Sequence, residues 1–194
     1  MKVIGLTGSI ASGKSTVTNY LLNKGYCVID ADAISHHALH QGTKCYEKVK
    51  SLFDCLDENG NIDRKALGKI VFYDHKKKKQ LEDIIHPYVK DELKKEIEKC
   101  QQDILFLDVP LLYETQMDVL CDQVIVVYVD ESLQIQRLMK RNNISKEEAG
   151  HLIHQQISIE EKKKRADIVL DNRKSFEELY KDIERMLKDE IIYE

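Results

Sequence analysis

An eight-residue segment near the amino terminus has the composition and spacing of a phosphate-binding loop. It reads Gly8-Ser9-Ile10-Ala11-Ser12-Gly13-Lys14-Ser15 and matches the pattern GxxxxGK[ST]. Its glycines let the backbone wrap closely around phosphates, and Lys14 brings a positive charge to the β- and γ-phosphates of a nucleotide. The Ser15 hydroxyl can ligate Mg²⁺. We expect the nucleotide to contact Gly8, Ala11, Ser12, Gly13, Lys14, Ser15 and Thr16.

The flanking sequence supports this interpretation over a glycine-rich turn that merely links a strand to a helix. Lys2–Thr7 is a short apolar run and predicts a buried strand. Ser15–Lys24 carries apolar side chains at helical spacing and stops at Gly25. A strand before the loop and a helix after it form the context that the motif requires. The sequence therefore predicts a site for a nucleoside triphosphate.

Two aspartates, Asp30 and Asp32, lie where the second predicted strand, Tyr26–Asp30, ends. Ligand chemistry in open parallel sheets lies at the carboxyl ends of the strands. A carboxylate there can accept the proton of an attacking hydroxyl group while the loop holds the phosphoryl group. Alternatively, one aspartate caps the following helix. We expect one carboxylate to orient and the other to act, and the sequence leaves open which one faces the acceptor.

Other nucleotide-binding classes lack support in the sequence. The one Asn-Lys pair, Asn23-Lys24, is followed by Gly25-Tyr26, which is unlike the guanine-reading Asn-Lys-x-Asp motif of GTPases. Asp108 ends a predicted strand but is followed by Val109 rather than by the Glu that is typical of motor and AAA-type ATPases. The remaining class is the small-molecule kinases.

Composition favours a single small enzyme domain. The 194 residues are 42% apolar and 33% charged, and the formal net charge of −4 argues against a general nucleic-acid binder. We interpret the basic runs Lys76–Lys79 and Lys162–Arg165 as solvated helix faces. The five scattered cysteines favour neither a disulfide framework nor a zinc site. No run is long and apolar enough to span a membrane and no signal-peptide pattern appears, so we expect a cytoplasmic protein without a membrane partner.

The order of apolar runs predicts an α/β fold with a five-stranded, mostly parallel sheet flanked by helices. The remaining predicted strands are Ile104–Asp108, Gln123–Asp130 and Asp167–Leu170, and the last helix spans Ser175–Asp189. Further helical patterns cover Asp32–His40, Lys44–Phe53, Lys65–Phe72 and Lys77–Lys99, with a turn at Asp57–Asn61. We divide the chain into a core of about 1–30, 104–136 and 166–194, a helical insertion of about 31–103, and a charged helical segment of about 137–165.

Several motifs together resemble the dephospho-CoA kinase family over nearly the whole chain. They are Val28-Ile29-Asp30-Ala31-Asp32 with Ile34, Ile85-His86-Pro87, Asp108-Val109-Pro110-Leu111-Leu112-Tyr113-Glu114, Gln136-Arg137-Leu138 with Arg141, Gln156-Ile157-Ser158 with Lys162, and Ala166-Asp167 with Asp171-Asn172. Two positions depart from the family pattern. Ser158 stands where many members have Pro, and Leu152 stands where an Arg is common.

The resemblance implies a P-loop kinase fold in which the insertion binds the acceptor and segment 137–165 forms a lid. It implies transfer of the γ-phosphoryl group of ATP to the ribose 3′-hydroxyl of dephospho-CoA, with Mg²⁺ required. Asp32 would be the base, with Lys14 and the lid residues Arg137 and Arg141 as the other catalytic groups. The implied acceptor contacts are Thr7, Asp32, His86 and Leu111.

Alternatives to these assignments remain. Arg137 and Arg141 also fit an i,i+4 pair on a solvated helix face, and His86 fits a hydrogen-bonded structural residue. Glu114 is expected to be exposed and is a weaker site candidate. Rival functions are a shikimate- or gluconate-type kinase, or a nucleotide-dependent binding module without turnover. We expect a monomer and leave an oligomer open.

Overall fold

A computed structural model describes residues 1–72 and 74–191 and contains one five-stranded sheet. The strands are β1 (Lys2–Gly8), β2 (Cys27–Asp30), β3 (Ile104–Asp108), β4 (Gln123–Tyr128) and β5 (Ile168–Asp171). Their order across the sheet is β2-β3-β1-β4-β5. β1 pairs in parallel with β3 and β4, and β4 pairs in parallel with β5. The predicted α/β class and strand number are confirmed.

Helices connect the strands, and their bounds lie within two residues of the predicted ones at most ends. They are α1 (Lys14–Asn23), α2 (Ala31–Ala38), α3 (Lys44–Leu52), α4 (Arg64–Phe72), α5 (His75–Lys99), α6 (Glu131–Asn142), α7 (Lys146–Ile153), α8 (Ile159–Arg165) and α9 (Phe176–Met186). A short 3₁₀ turn covers Asp118–Leu120, and a π-helical turn covers Leu187–Ile191. Within the described ranges, no helix is long and apolar enough to cross a membrane.

The chain folds into two compact units. The core unit comprises residues 1–29 and the chain from Cys100 onward, and the helical unit comprises Asp30–Lys99. In the core unit, buried residues of the sheet such as Ile4 and Ile125 pack with Val17 of α1 and Ile183 of α9. Burying such side chains contributes roughly 1.5–3 kcal/mol each. This cluster fixes α1, and therefore the loop in front of it, against the sheet.

The helical unit has an apolar core of its own. Tyr46 and Val49 of α3 pack with Phe53 and with Leu67 of α4. Thr43 caps α3, since its hydroxyl accepts a hydrogen bond from the amide of Tyr46 at 3.0 Å. The predicted turn at residues 57–61 is confirmed.

Three of the ends that differ from the prediction have a clear local reason. β4 stops at Tyr128 because Asp130 caps α6, its carboxylate accepting from the Leu133 amide at 2.9 Å. α5 begins at His75 because the Asp74 carboxylate accepts from the amides of the first turn. The last helix leaves α-geometry after Met186 and continues as the π turn.

Candidate active site

The phosphate-binding loop joins β1 to α1 at the carboxyl edge of the sheet. In the strand register, Leu6 lies opposite Asp108 of β3, and Gly8 lies opposite Val127 of β4. The loop therefore emerges between the ends of two neighbouring strands. Parallel sheets place their ligand sites at this edge.

The loop backbone turns through left-handed conformations before the helix starts. Ala11 has φ 61° and Gly13 has φ 90°. A Cβ at Gly13 would lie 2.1 Å from Nδ2 of Asn172, so this position requires glycine both for its conformation and for its space. Gly13 is the N-cap of α1 and contributes no side-chain cap. The first amides of α1 are thus available to an anion, which the helix dipole also favours.

Lys14 lies beside the end of β3. Its ammonium group forms an ion pair with the Asp108 carboxylate, and the Thr18 hydroxyl donates to the second Asp108 oxygen at 2.6 Å. The Lys14 side chain is 18% exposed and that of Asp108 is 7% exposed. Solvent, and hence a nucleotide, can reach the lysine. The sequence analysis missed Thr18, although it lies one turn after Lys14 on the same face of α1.

Two side chains from outside the loop hold its backbone. Asn172, which follows β5, donates from Nδ2 to the carbonyl of Ser12 at 2.8 Å. Arg137 of α6 donates to the Asn172 carbonyl at 2.9 Å and to the Ser12 carbonyl at 3.5 Å. Arg141, one turn further along α6, is exposed and donates to Asn142 at 3.0 Å. The structure therefore brings Arg137 to the loop and leaves Arg141 on the solvated face.

Segment 137–165 contacts the loop at a second place. The Gln156 side chain, between α7 and α8, accepts a hydrogen bond from the Ile10 amide at 3.0 Å. Ile10 and Ala11 also pack against the apolar cluster of Leu138, Ala149 and Ile153 on α6 and α7. Gln156 belongs to a motif of the family, but no local sequence pattern predicts its contact with the loop.

A buried ion pair corrects two expectations. Lys162 of α8, expected on a solvated face, has no exposed side-chain surface, and Glu114, expected to be exposed, is 18% exposed. The Lys162 ammonium group lies 2.9 Å from the Glu114 carboxylate and donates to the Pro110 carbonyl at 3.0 Å. Burial lowers the pKa of Lys162, and Glu114 opposes this shift. Glu114 is therefore a packing partner of α8.

Two predicted acceptor contacts lie near this pair. Thr7 is fully buried at the end of β1, and its hydroxyl donates to the same Pro110 carbonyl at 3.1 Å. Leu111 is exposed, whereas the next residue, Leu112, is buried in the core unit. Of the apolar residues in this loop, Leu111 is thus the one that can meet a ligand from solvent.

Asp30, Asp32 and His86 lie in the helical unit. Asp30 is the N-cap of α2, and its carboxylate accepts from the amides of Asp32 at 2.8 Å and Ala33 at 3.4 Å. Asp32 lies exposed in the first turn of α2. His86 is half-buried within α5, next to Pro87. The expectation that one aspartate caps the helix is confirmed, and the capping residue is Asp30.

The residues around Lys14 fit a magnesium ion shared with a nucleotide. Ser15 is exposed in the first turn of α1, and Asp108 supplies a carboxylate at the same edge. Among the residues that the structure describes, no group of three His, Cys, Asp or Glu side chains could hold a metal ion. Mg²⁺ typically takes one or two protein ligands and completes its shell with phosphates and water, so one hydroxyl and one carboxylate at this edge are sufficient donors.

The parallel sheet and the lysine-bearing loop between β1 and α1 define a P-loop kinase. A family model described as dephospho-CoA kinase matches residues 2–178. A dephospho-CoA kinase of Staphylococcus saprophyticus is 44% identical and covers 97% of this chain and 94% of its own length. One of Bacillus licheniformis is 45% identical and covers 95% and 94%. The chain belongs to the dephospho-CoA kinase family, and the prediction of an ATP-dependent kinase is confirmed with it.

Solved structures agree. A crystal structure from Thermus thermophilus superposes with a TM-score of 0.83 at 35% identity and covers 96% of both chains. A dephospho-CoA kinase from Campylobacter jejuni gives 0.73 at 34% identity and covers 96% and 98%. A shikimate kinase from Bacteroides thetaiotaomicron gives 0.54 at 13% identity over 95% of each chain, which is a likeness of fold alone.

Proposed function

We propose that this protein transfers the γ-phosphoryl group of ATP to the ribose 3′-hydroxyl of 3′-dephospho-CoA, giving ADP and coenzyme A. The observation that carries the proposal is Lys14, held by Asp108 at a glycine-lined loop, in a chain whose family match covers residues 2–178. The motif set extends from the loop to Asn172, so it includes more than nucleotide binding. We place the protein in the cytoplasm and expect it to act as a monomer.

The nucleotide side of the reaction uses the loop and α1. The amides of Gly13, Lys14 and Ser15 bind phosphate oxygens, and Lys14 exchanges its Asp108 partner for the γ-phosphoryl group. A bound Mg²⁺ neutralises charge on the phosphates, and Ser15 and Asp108 are the residues that would hold it. Phosphoryl transfer depends mainly on positioning and charge, and these residues supply both.

Segment 137–165 acts as a lid in this proposal. Arg137 already contacts the loop, and Arg141 would approach the phosphates on closure. An arginine suits this task because its planar fork binds phosphate oxygens in pairs. Closure excludes water, which would otherwise consume ATP by hydrolysis.

The acceptor side uses Asp32 as the base. Asp30 is engaged in capping α2, and Asp32 lies in the first turn of that helix with its side chain exposed. We assign Asp32 to the 3′-hydroxyl on the family pattern. Thr7, His86 and Leu111 are assigned to acceptor contacts on the family pattern. His86 and Leu111 are at least partly exposed, and Thr7 would act through the Pro110 loop that it holds.

A coupled ADP-release assay tests the reaction. Dephospho-CoA is compared with shikimate, gluconate and nucleoside monophosphates as acceptor, each with ATP and Mg²⁺. We expect ADP to form with dephospho-CoA and to depend strictly on it. Faster turnover with shikimate or gluconate would favour a shikimate- or gluconate-type kinase. ADP release that is the same with and without each acceptor would contradict the proposal.

Asparagine variants test the base. Asp32→Asn keeps the size but cannot take a proton, so turnover should fall by roughly 10²–10⁴-fold while ATP binding changes little. Asp30→Asn should be milder, because an asparagine also caps helices well. If phosphoryl transfer needs little proton removal, Asp32→Asn raises the acceptor KM as it lowers kcat. Full activity of Asp32→Asn would remove this residue from the mechanism.

A further inference from the structure

A groove of about 500 Å³ lies on the helical unit, between the end of α2 and the start of α4. Its polar wall includes the basic side chains of His36, His40 and Arg64, together with Gln41 and Asn61. None of the described residues that line it is acidic. In a chain with a net charge of −4, a concave surface of this composition favours an anionic ligand.

Arg64 is the strongest anion-binding group in the groove. One of its terminal nitrogens lies 2.5 Å from Nε2 of His36, and because a guanidinium only donates, the ring nitrogen is the acceptor in this contact. Within residues 1–72 and 74–191, no carboxylate forms an ion pair with Arg64. A guanidinium that is positioned by a ring nitrogen and not by a carboxylate keeps its charge uncompensated and its remaining donors for a ligand.

The acidic residues next to the groove are directed into backbone turns. The Asp57 carboxylate accepts from the amides of Asn59 at 2.9 Å and Asn61 at 2.8 Å. The Asp63 carboxylate accepts from the amides of Lys65 at 2.8 Å and of the following residue. Both negative charges are thus engaged at turns, and neither aspartate lines the groove.

The groove lies on the same face of α2 as Asp32. Asp32 and His36 are four residues apart, so they share one face of the helix and are separated by about 6 Å along its axis. In a nucleotide, the 3′-hydroxyl and the 5′-phosphate stand at opposite ends of one ribose, a separation of similar size. A ligand whose 3′-hydroxyl meets Asp32 can therefore place its 5′-phosphates at His36 and Arg64.

We propose that this groove binds the 5′-diphosphate of the acceptor, with Arg64 as the main contact and His36 as its positioning partner. The inference rests on the proposed function, since dephospho-CoA carries its negative charge in that diphosphate. A pantetheine arm continues from the diphosphate, and the groove offers it the apolar side chains of Leu39 and Ile62. The groove would thereby distinguish a coenzyme precursor from an acceptor that lacks a diphosphate.

Charge variants of Arg64 test the groove. Arg64→Gln should raise the KM for dephospho-CoA, and its Kd measured by calorimetry, at least about tenfold, since one charge-assisted contact is lost. The KM for ATP and the kcat at saturating acceptor should change less than about twofold. Arg64→Lys should recover part of the loss, which a purely structural role for the fork would not predict. Lys65→Gln, on the next residue but outside the groove, is the matched control and should leave both KM values unchanged.

The outcomes separate the two proposals. An unchanged acceptor KM in Arg64→Gln, or an equal rise in the ATP KM or in Lys65→Gln, would overturn the groove assignment while the reaction stands. If Arg64→Gln lowers the melting temperature markedly, His36→Gln takes its place and should raise the acceptor KM by a few-fold. A wild-type protein that releases no ADP with dephospho-CoA would contradict the proposed function itself, and the groove assignment with it.

Discussion

Two lysine–carboxylate pairs involve the end of β3 and the loop after it, and they differ mainly in access to solvent. Lys14 and Asp108 meet at the phosphate-binding loop, where the lysine is 18% exposed. Lys162 and Glu114 meet behind the loop after β3, where the lysine has no exposed surface. The chemistry of the two pairs is the same, so burial decides which lysine can exchange its partner for a ligand.

The remaining contacts reinforce this difference. Asp108 also accepts from Thr18, so its charge is still compensated in part when Lys14 turns to a nucleotide. Glu114 accepts from the Ile157 amide at 3.0 Å, and Lys162 donates to the Pro110 carbonyl, so every contact of the second pair is with protein. A buried pair adds little net stability because its desolvation is costly, but it fixes which segments meet. Here it fixes α8 to the loop after β3.

The largest effect is expected when one partner of the buried Lys162–Glu114 pair is removed. Lys162→Met leaves the Glu114 carboxylate buried without its cation, and the free energy of unfolding should fall by about 3–5 kcal/mol. Urea unfolding followed by circular dichroism measures this. Lys164, whose side chain is 75% exposed beside Glu161, provides the control, and Lys164→Met should cost less than about 1 kcal/mol.

A double variant sharpens the comparison. Lys162→Met combined with Glu114→Gln removes both charges and keeps an oxygen for the Ile157 amide, so most of the lost stability should return. A double variant that is as unstable as Lys162→Met alone would show that packing of the lysine, and not charge compensation, holds α8.

At the solvent-accessible Lys14–Asp108 pair we expect a smaller effect, and we expect it on turnover rather than on stability. Lys14→Ala removes the cation that faces the transferred phosphoryl group, so kcat should fall at least about 10²-fold, or ~2.7 kcal/mol of transition-state stabilisation. Its unfolding free energy should fall less than that of Lys162→Met, because the Thr18 hydroxyl still donates to Asp108 and truncation of the part-exposed Lys14 side chain lets water reach that carboxylate. ADP-release kinetics and urea unfolding on the same preparations measure both. Near-normal turnover of Lys14→Ala would remove Lys14 from the site. The control is Lys24→Ala, which breaks an exposed ion pair with Glu184 and should behave as wild type.

The contrast also explains which features the sequence could predict. The phosphate-binding loop is one contiguous segment whose residue types each have a physical reason, and the flanking strand and helix confirm it. The sheet followed from apolar runs of strand length. Asp30 as a cap was open to prediction, because an aspartate that precedes a helix is a common N-cap.

The errors about burial lie where distant segments meet. Lys162 stands in a run of four basic residues, which indicates a solvated face until α8 packs over the loop after β3. Glu114 appeared exposed for the same reason. The contacts of Gln156 and Asn172 with the loop join residues far apart in the chain, and no local pattern encodes them. Whether a charged side chain is buried depends on tertiary packing. The sequence therefore predicted the wrong environment for both Lys162 and Glu114.

The smallest expected effects separate Arg137 from Arg141, two arginines one turn apart on α6. Arg137 donates to the carbonyls of Ser12 and Asn172, so it holds the loop before any ligand binds, whereas Arg141 contacts only Asn142 among the described residues. Arg137→Ala should therefore lower kcat about tenfold or more, or ~1.4 kcal/mol, and raise the ATP KM. Arg141→Ala should lower kcat by a few-fold and leave the melting temperature unchanged, because solvated arginines contribute little to stability. Kinetics with varied ATP and saturating dephospho-CoA, with thermal melts of both variants, measure the difference. Normal turnover in both variants would show that the two arginines lie on an ordinary solvated helix face. A larger loss in Arg141→Ala would mean that closure of the proposed lid brings Arg141 closer to the phosphates than Arg137.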